Sequence, residues 1–266
     1  MLYEKIQFDK DNEDAFLEVY VADKVGSFTR NAILVMPGGG YSNICSEREG
    51  EPIAMAFMPY GYNSFVLHYS VGKEPFPLQL IQASKAIKHI KDNSEKYNID
   101  PEKVFVVGFS AGGHLAASIG TMWDKKEIYE KIDMPYGYNK PAGMMLIYPV
   151  ISAEYHKRSF QNLLMEENFS LEEIKECSIE NHIGENACPA YIMHISNDEK
   201  VDVKNSLVLA EKLSLNNIKF EMHIYPDAPH GVALGNKITM CGIKKFDNVS
   251  IAEWVKNAVR WAETVE

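Results

Sequence analysis

The run KVFVV at 103–107 is apolar on nearly every residue and passes without a spacer into GFSAG (108–112) and then into a helical pattern. Continuous apolar runs suit strands covered on both faces, and such strands belong to parallel sheets flanked by helices. Six more runs read as strands: 15–22 (AFLEVYVA), 31–36 (NAILVM), 63–69 (NSFVLHY), 142–148 (AGMMLIY), 189–195 (PAYIMHI) and 218–225 (IKFEMHIY). Helical patterns alternate with them at about 48–59, 78–96, 112–122, 203–214 and 248–264, the second with Ile81, Ala83, Ile87 and Ile90 turned inward. This alternation specifies an α/β fold, a mostly parallel central sheet of about eight strands with helices on both faces. A chain of 266 residues fits one large α/β domain, 1–266, better than two ordinary ones.

The rhythm breaks once, at 152–187, where roughly 35 residues carry helical patches but no strand. Segments of this length are commonly lids or binding insertions. This one follows YPV at a strand end, where ligands sit in open α/β sheets. The alternative is a surface excursion that touches no ligand.

Composition removes several function classes. A net charge of -10, a pI near 5.4 and scattered Lys and Arg disfavour nucleic acid, which binds to clustered cations. The first residues, MLYEKIQFDKDNED, hold no apolar core of signal-peptide length, and no stretch stays apolar for the roughly 18 residues of a membrane helix. A cytoplasmic location, with no membrane partner, is expected. Cys45, Cys177, Cys188 and Cys241 form no CxxC pair, so reduced thiols and no structural metal are expected.

Within GFSAG, a sharp strand-to-helix turn exposes Ser110, as a nucleophile requires. Gly108 and Gly112 relieve the crowding of such a turn, and the helix start lends partial positive charge to a developing oxyanion. A second glycine cluster, MPGGGYS at 36–42, follows the apolar run NAILV. An N–H of Gly39 or Gly40 there can join that of Ala111 in an oxyanion hole. A phosphate-binding Walker loop is excluded, because no Lys followed by Ser or Thr comes after the glycines.

The base must be a histidine on another loop. Of the eight present, His230 alone lies in a Pro- and Gly-punctuated loop just past the last predicted strand, in YPDAPHGVAL. His68, His194 and His223 fall within strands, and His114 lies on the helix after Ser110 and points away. Asp198 follows the penultimate strand in HISNDEKVDV and is the expected acid, with Glu199, Asp202 and Asp227 as neighbours that could compete. The chain order Ser110, Asp198, His230 matches that of α/β hydrolases.

On these residues the chain resembles the α/β-hydrolase esterases related to acetylxylan esterases and single-domain feruloyl esterases. MPGGGYS, GYNSFVLHYSVG, IDPEKVFVVGFSAGGHLAA, LIYPVIS, ECSIENHIGENACPAYIMHISNDEKVDVKNS and HIYPDAPHGVAL carry the likeness, from about residue 12 to the end. The resemblance implies Ser110 with Asp198 and His230, and backbone donors near Gly40 and at Ala111. It departs at Pro37, where many relatives have a loop-ordering His, and at Asp202, where relatives often have Pro. The implied activity is hydrolysis of a short-chain ester, acetyl foremost, of a sugar or xylo-oligosaccharide through an acyl-enzyme, with no metal or organic cofactor. Tyr41, Tyr69 and Tyr148 are expected to line the substrate site. The expected partner is a small-molecule ester, and the expected assembly, if any, a homodimer. A prolyl-oligopeptidase-like peptidase, an arylformamidase-like amide hydrolase and a non-catalytic ligand-binding member of the fold are the alternatives.

Overall fold

All seven apolar runs form strands in the computed structural model, which describes residues 1–265. In chain order the strands are β1 (Leu2–Ile6), β2 (Phe16–Val21), β3 (Arg30–Met36), β4 (Tyr62–His68), β5 (Ile99–Phe109), β6 (Met144–Ile147), β7 (Ala190–Ile195) and β8 (Phe220–Tyr225). They make one sheet in the order β1-β2-β4-β3-β5-β6-β7-β8. The β1/β2 and β2/β4 pairs are antiparallel and all others are parallel. The sequence reading missed β1. Its residues LYEKI include Glu4 and Lys5, and as an edge strand it buries too little to leave a continuous apolar run.

The helices are α1 (Ser46–Glu49), α2 (Glu51–Phe57), α3 (Leu78–Asp92), α4 (Ser94–Tyr97), α5 (Ser110–Met122), α6 (Lys126–Lys131), α7 (Lys157–Leu164), α8 (Leu171–Cys177), α9 (Lys204–Leu215) and α10 (Trp254–Ala262). Two expected helices are each broken. The 48–59 pattern divides at Gly50, and the 78–96 pattern divides at Asn93, whose side-chain amide donates to the His89 carbonyl at 2.8 Å.

Successive strand residues point to opposite faces, which divides the core in two. Leu34, Val106 and Leu146 pack with Ile87 of α3, Leu115 of α5 and Leu209 of α9. Val35, Val107 and Ile147 pack on the other side with Phe57 of α2 and Trp254 of α10. Each fully buried aliphatic side chain contributes about 1.5–3 kcal/mol. Covered on both faces, the inner strands therefore fix the positions of the loops at their C-terminal ends.

The 152–187 segment holds α7, α8 and a 3-10 turn at Ile179–Asn181, and no strand, as its pattern predicts. It is docked rather than loose, since Phe160 and Leu163 of α7 are buried in the same core as α5. A capping box closes the start of α8: Glu173 N–H donates to Ser170 Oγ, and Ser170 N–H donates to Glu173 Oε2. Among the described residues no helix is long and apolar enough to cross a membrane. All four cysteines are free.

Candidate active site

The crossing from β5 to α5 sets the position of Ser110. Phe109 is extended (φ -116, ψ 130), whereas Ser110 takes φ +52, a left-handed conformation that costs a non-glycine residue about 1–3 kcal/mol. The reversal lifts the hydroxyl off the end of the sheet. A Cβ on Gly112 would run into the carbonyl oxygens of Met36 and Pro37, and one on Gly108 into that of Gly112. Glycine at these two positions lets α5 close against the end of β3, which brings the PGGG loop beside Ser110.

Asp198 arrives on the loop after β7 and His230 on the loop after β8. His230 Nε2 lies 3.0 Å from Ser110 Oγ, and His230 Nδ1 lies 2.6 Å from Asp198 Oδ2. The other oxygen of Asp198 accepts the backbone N–H groups of Lys200 and Val201 at 2.9 and 3.0 Å. Burial pushes the Asp198 carboxyl up, but the His230 hydrogen bond and charge and the two N–H groups outweigh it and hold the carboxyl below its usual range. An ionised Asp198 keeps the proton of His230 on Nδ1 and leaves Nε2 free to accept from the serine. Beneath this turn the buried His194 is bonded at both nitrogens, Nδ1 to Ser206 Oγ at 2.6 Å and Nε2 to the Val201 carbonyl at 2.9 Å. It is a structural histidine, in line with its place inside a strand.

Gly39 and Gly40 take φ +134 and +65 and line the same cavity as Ser110. Their N–H groups donate to no acceptor among the described residues, and Ala111 N–H is one of the first-turn donors that a helix leaves unpaired. The expected trio is thus brought together at one place.

Beneath the glycine loop lies a residue that the sequence reading missed. Glu49, only 2% exposed, accepts the Gly38 N–H at 2.8 Å and the Tyr148 hydroxyl at 2.9 Å. Tyr148 Oη in turn accepts the Ala233 N–H at 3.0 Å, so one buried carboxylate ties the glycine loop to the loop bearing His230. Burial pushes the Glu49 carboxyl up against the opposing pull of Arg48, Gly38 N–H and Tyr148. This arrangement, together with a bond from Tyr69 Oη to the Pro37 carbonyl at 2.7 Å, orders the loop around Pro37.

The structure corrects the expectation for Tyr69 and Tyr148. Tyr41, Tyr69 and Tyr148 are all buried and none lines the Ser110 cavity, while Tyr41 lines the hollow beside it. Tyr41 donates to His114 Nδ1 at 2.7 Å, and His114 Nε2 donates to the Cys177 carbonyl at 2.8 Å. Tyr41 and Tyr148 both take positive φ, which turns their rings under the loops and away from solvent. Aromatics at strand ends here brace the walls from behind.

The cavity itself, about 260 Å³, is lined instead by polar groups, many from the insertion. His156, Arg158, Ser159 and Asn162 belong to the start and first turns of α7, so the segment forms a wall of the site. Asn162 Nδ2 donates to the Gly40 carbonyl at 2.7 Å. A second hollow of about 550 Å³ shares Ser42, Arg158 and Asn162 with the first. Cys45 also lines the cavity, and burial with the nearby Glu49 and Glu47 pushes its thiol up. Nothing in the sequence pattern of α7 marks these residues; only their placement after a strand end hinted at contact with a ligand.

Known proteins share this arrangement of chain. Residues 17–213 match the BD-FAE family. The chain is 36% identical over 216 residues to endo-1,4-beta-xylanase B of Butyrivibrio fibrisolvens and 28% identical over 210 residues to the acetylxylan esterase of Xylanibacter ruminicola. Those matches take in 78% and 77% of this chain but 33% and 41% of the two relatives, so the chain spans well under half the length of either. The solved acetyl ester-xyloside bifunctional hydrolase from Caldicellulosiruptor lactoaceticus aligns with a TM-score of 0.85 at 32% identity, over 98% of this chain and 96% of that one. With the family match covering most of the sheet and the fold shared over nearly its whole length, the chain belongs to the BD-FAE family of α/β hydrolases.

Proposed function

We propose that the protein is a serine carboxylesterase that removes a short acyl group, acetyl foremost, from a sugar or xylo-oligosaccharide. The observation that carries this is the hydrogen-bonded line from Ser110 through His230 to Asp198, at 3.0 and 2.6 Å, opening on a cavity beside the unpaired N–H groups of the glycine loop. His230 Nε2 takes the hydroxyl proton as Ser110 Oγ attacks the ester carbonyl, and the oxyanion is held by N–H groups of Gly39 or Gly40 and Ala111. His230 then passes that proton to the departing alcohol oxygen, leaving an acyl-serine. Water gives its proton to His230 and adds to the acyl carbon, and collapse of this second intermediate returns the proton to Ser110 and releases the acid. Asp198 stabilises the imidazolium in both halves.

The substrate class rests on the character of the cavity. A long acyl chain needs an apolar trough, whereas arginine, lysine, serine and asparagine side chains line this cavity, as suits an alcohol rich in hydroxyl groups. The adjoining hollow gives room for a further sugar unit. Two of the proteins it is similar to are named an acetylxylan esterase and an acetyl ester-xyloside bifunctional hydrolase. A fluorophosphonate probe and nitrophenyl esters of graded chain length test the proposal. Wild-type protein is expected to be labelled and to prefer the acetate over the octanoate, while Ser110→Ala loses labelling and roughly 10⁴-fold or more of its turnover. Unchanged labelling and turnover in Ser110→Ala would remove the serine from the mechanism.

A further inference from the structure

Arg48, Arg158 and Lys200 all line the Ser110 cavity, and the side chain of none of them makes an ion pair or hydrogen bond with the described residues. The chain carries 37 acidic and 27 basic residues, so three unpaired cations around one small space run against its average. Glu49 is the one carboxylate among the described residues lining this cavity, and both of its oxygens are already taken by Gly38 N–H and the Tyr148 hydroxyl. Arg48 and Glu49 are adjacent on a helix and form no ion pair, although each feels the other's charge.

Two buried polar atoms at the same cavity also lack partners. Arg48 Nε is shielded from solvent and bonded to nothing, and the same holds for Oγ of Ser159, a residue 1% exposed. Buried polar groups in folded proteins are nearly always satisfied, and of the side-chain atoms left without a partner among the described residues these two stand at the Ser110 cavity. Arg48 is not free to swing away, because its guanidinium lies over the Phe246 ring, 5.5 Å from the centroid, and against Gly231.

The position of these cations says which half of an ester they read. Arg48 abuts Gly231, next to His230, and Lys200 lies in the turn whose N–H groups hold Asp198. His230 is the group that protonates the leaving alcohol, so the alcohol half departs along this side. We propose that Arg48 and Lys200, extended by Arg158, form a subsite for a carboxylate on the alcohol half, which makes the preferred substrates acyl esters of acidic saccharides, sugars or oligosaccharides that carry a uronic acid. This rests on the esterase function proposed above.

The test compares two substrates that differ at one group: a mono-O-acetyl methyl glucuronoside and the matching mono-O-acetyl methyl glucoside, with nitrophenyl acetate assayed alongside. At low salt kcat/KM for the acidic ester is expected to exceed that of the neutral one by roughly tenfold, as befits a charge-assisted contact. The ratio should shrink toward one near 1 M salt, where screening acts over about 3 Å. Arg48→Gln and, at an exposed position where folding is not at risk, Lys200→Gln should each lower the ratio. Turnover of nitrophenyl acetate with equal rates on the two sugars, or a ratio that neither variant nor salt changes, overturns the subsite and leaves the esterase standing. Failure to turn over nitrophenyl acetate or to react with fluorophosphonate overturns both.

Discussion

Glu49 holds two donors from two different loops and has no water to replace either, so changing it acts on the oxyanion hole rather than on the nucleophile. A glutamine at 49 has one oxygen where two are needed and turns an N–H₂ toward a donor. Glu49→Gln is expected to lower kcat for nitrophenyl acetate by roughly 10- to 100-fold, short of the full loss of an oxyanion donor, with KM nearly unchanged. Steady-state kinetics decide it, and a change confined to KM would count against the loop-ordering role. Asp198→Asn acts differently: an amide donating to His230 Nδ1 moves the ring proton to Nε2, where it faces the serine hydroxyl. The expected fall in kcat is about 10⁴-fold with the fold intact, read from rates beside a circular dichroism spectrum. Ser110, Asp198 and His230 were legible because each follows a strand end in an order that few chains share. Glu49 was not, since a single acid within a helical pattern looks like any solvated charge until the glycine loop is seen lying over it. Tyr69 and Tyr148 misled for a related reason, because sequence places them near the site but does not say on which side of its wall.

Between elements, α5 approaches the end of β3 closely, and this approach depends on Gly112. Gly112→Ala puts a methyl group into two backbone carbonyls that cannot rotate away, so α5 must withdraw and carry Ser110 from the glycine loop. A destabilisation of about 1–3 kcal/mol or more is expected, with loss of esterase activity beyond what the unfolded fraction explains. Gly184→Ala, where the added methyl meets nothing within 4 Å, is the matched control and should leave both unchanged. Urea midpoints and nitrophenyl acetate rates on the two variants check this. At this scale the sequence was most readable, because strands buried on both faces leave long apolar runs. The edge strand β1 and the breaks at Gly50 and Asn93 escaped because they turn on a few exposed or polar residues, whose local hydrogen bonds carry no periodic signal.

For the molecule as a whole, His114 links catalytic sheet and insertion, being bonded on one side to Tyr41 and on the other to the Cys177 carbonyl at the end of α8. Burial pushes its imidazole down to about 4 from an ordinary 6.5. The unfolded chain therefore takes up a proton below about 6.5 that the folded protein refuses until about 4. Stability is lost as pH falls through this window, by roughly 3 kcal/mol from this residue, and falls no further on its account below it. Burial also lowers His68, His89, His156, His182 and His194, which adds to the loss in the same direction. Urea unfolding at pH 7, 5.5 and 4.5 should show a falling free energy, and His114→Gln should flatten that slope whatever it does to stability at pH 7. An unchanged slope would show that His114 does not supply the proton uptake. The bond from Asn162 to the Gly40 carbonyl has another consequence, one for recombination among relatives. The α7 wall and the glycine loop of the proposed oxyanion hole are tied together at Gly40, so the two are not expected to exchange as independent modules. A graft that replaces 152–187 to change specificity inherits a slower catalyst unless an amide donor is restored at position 162.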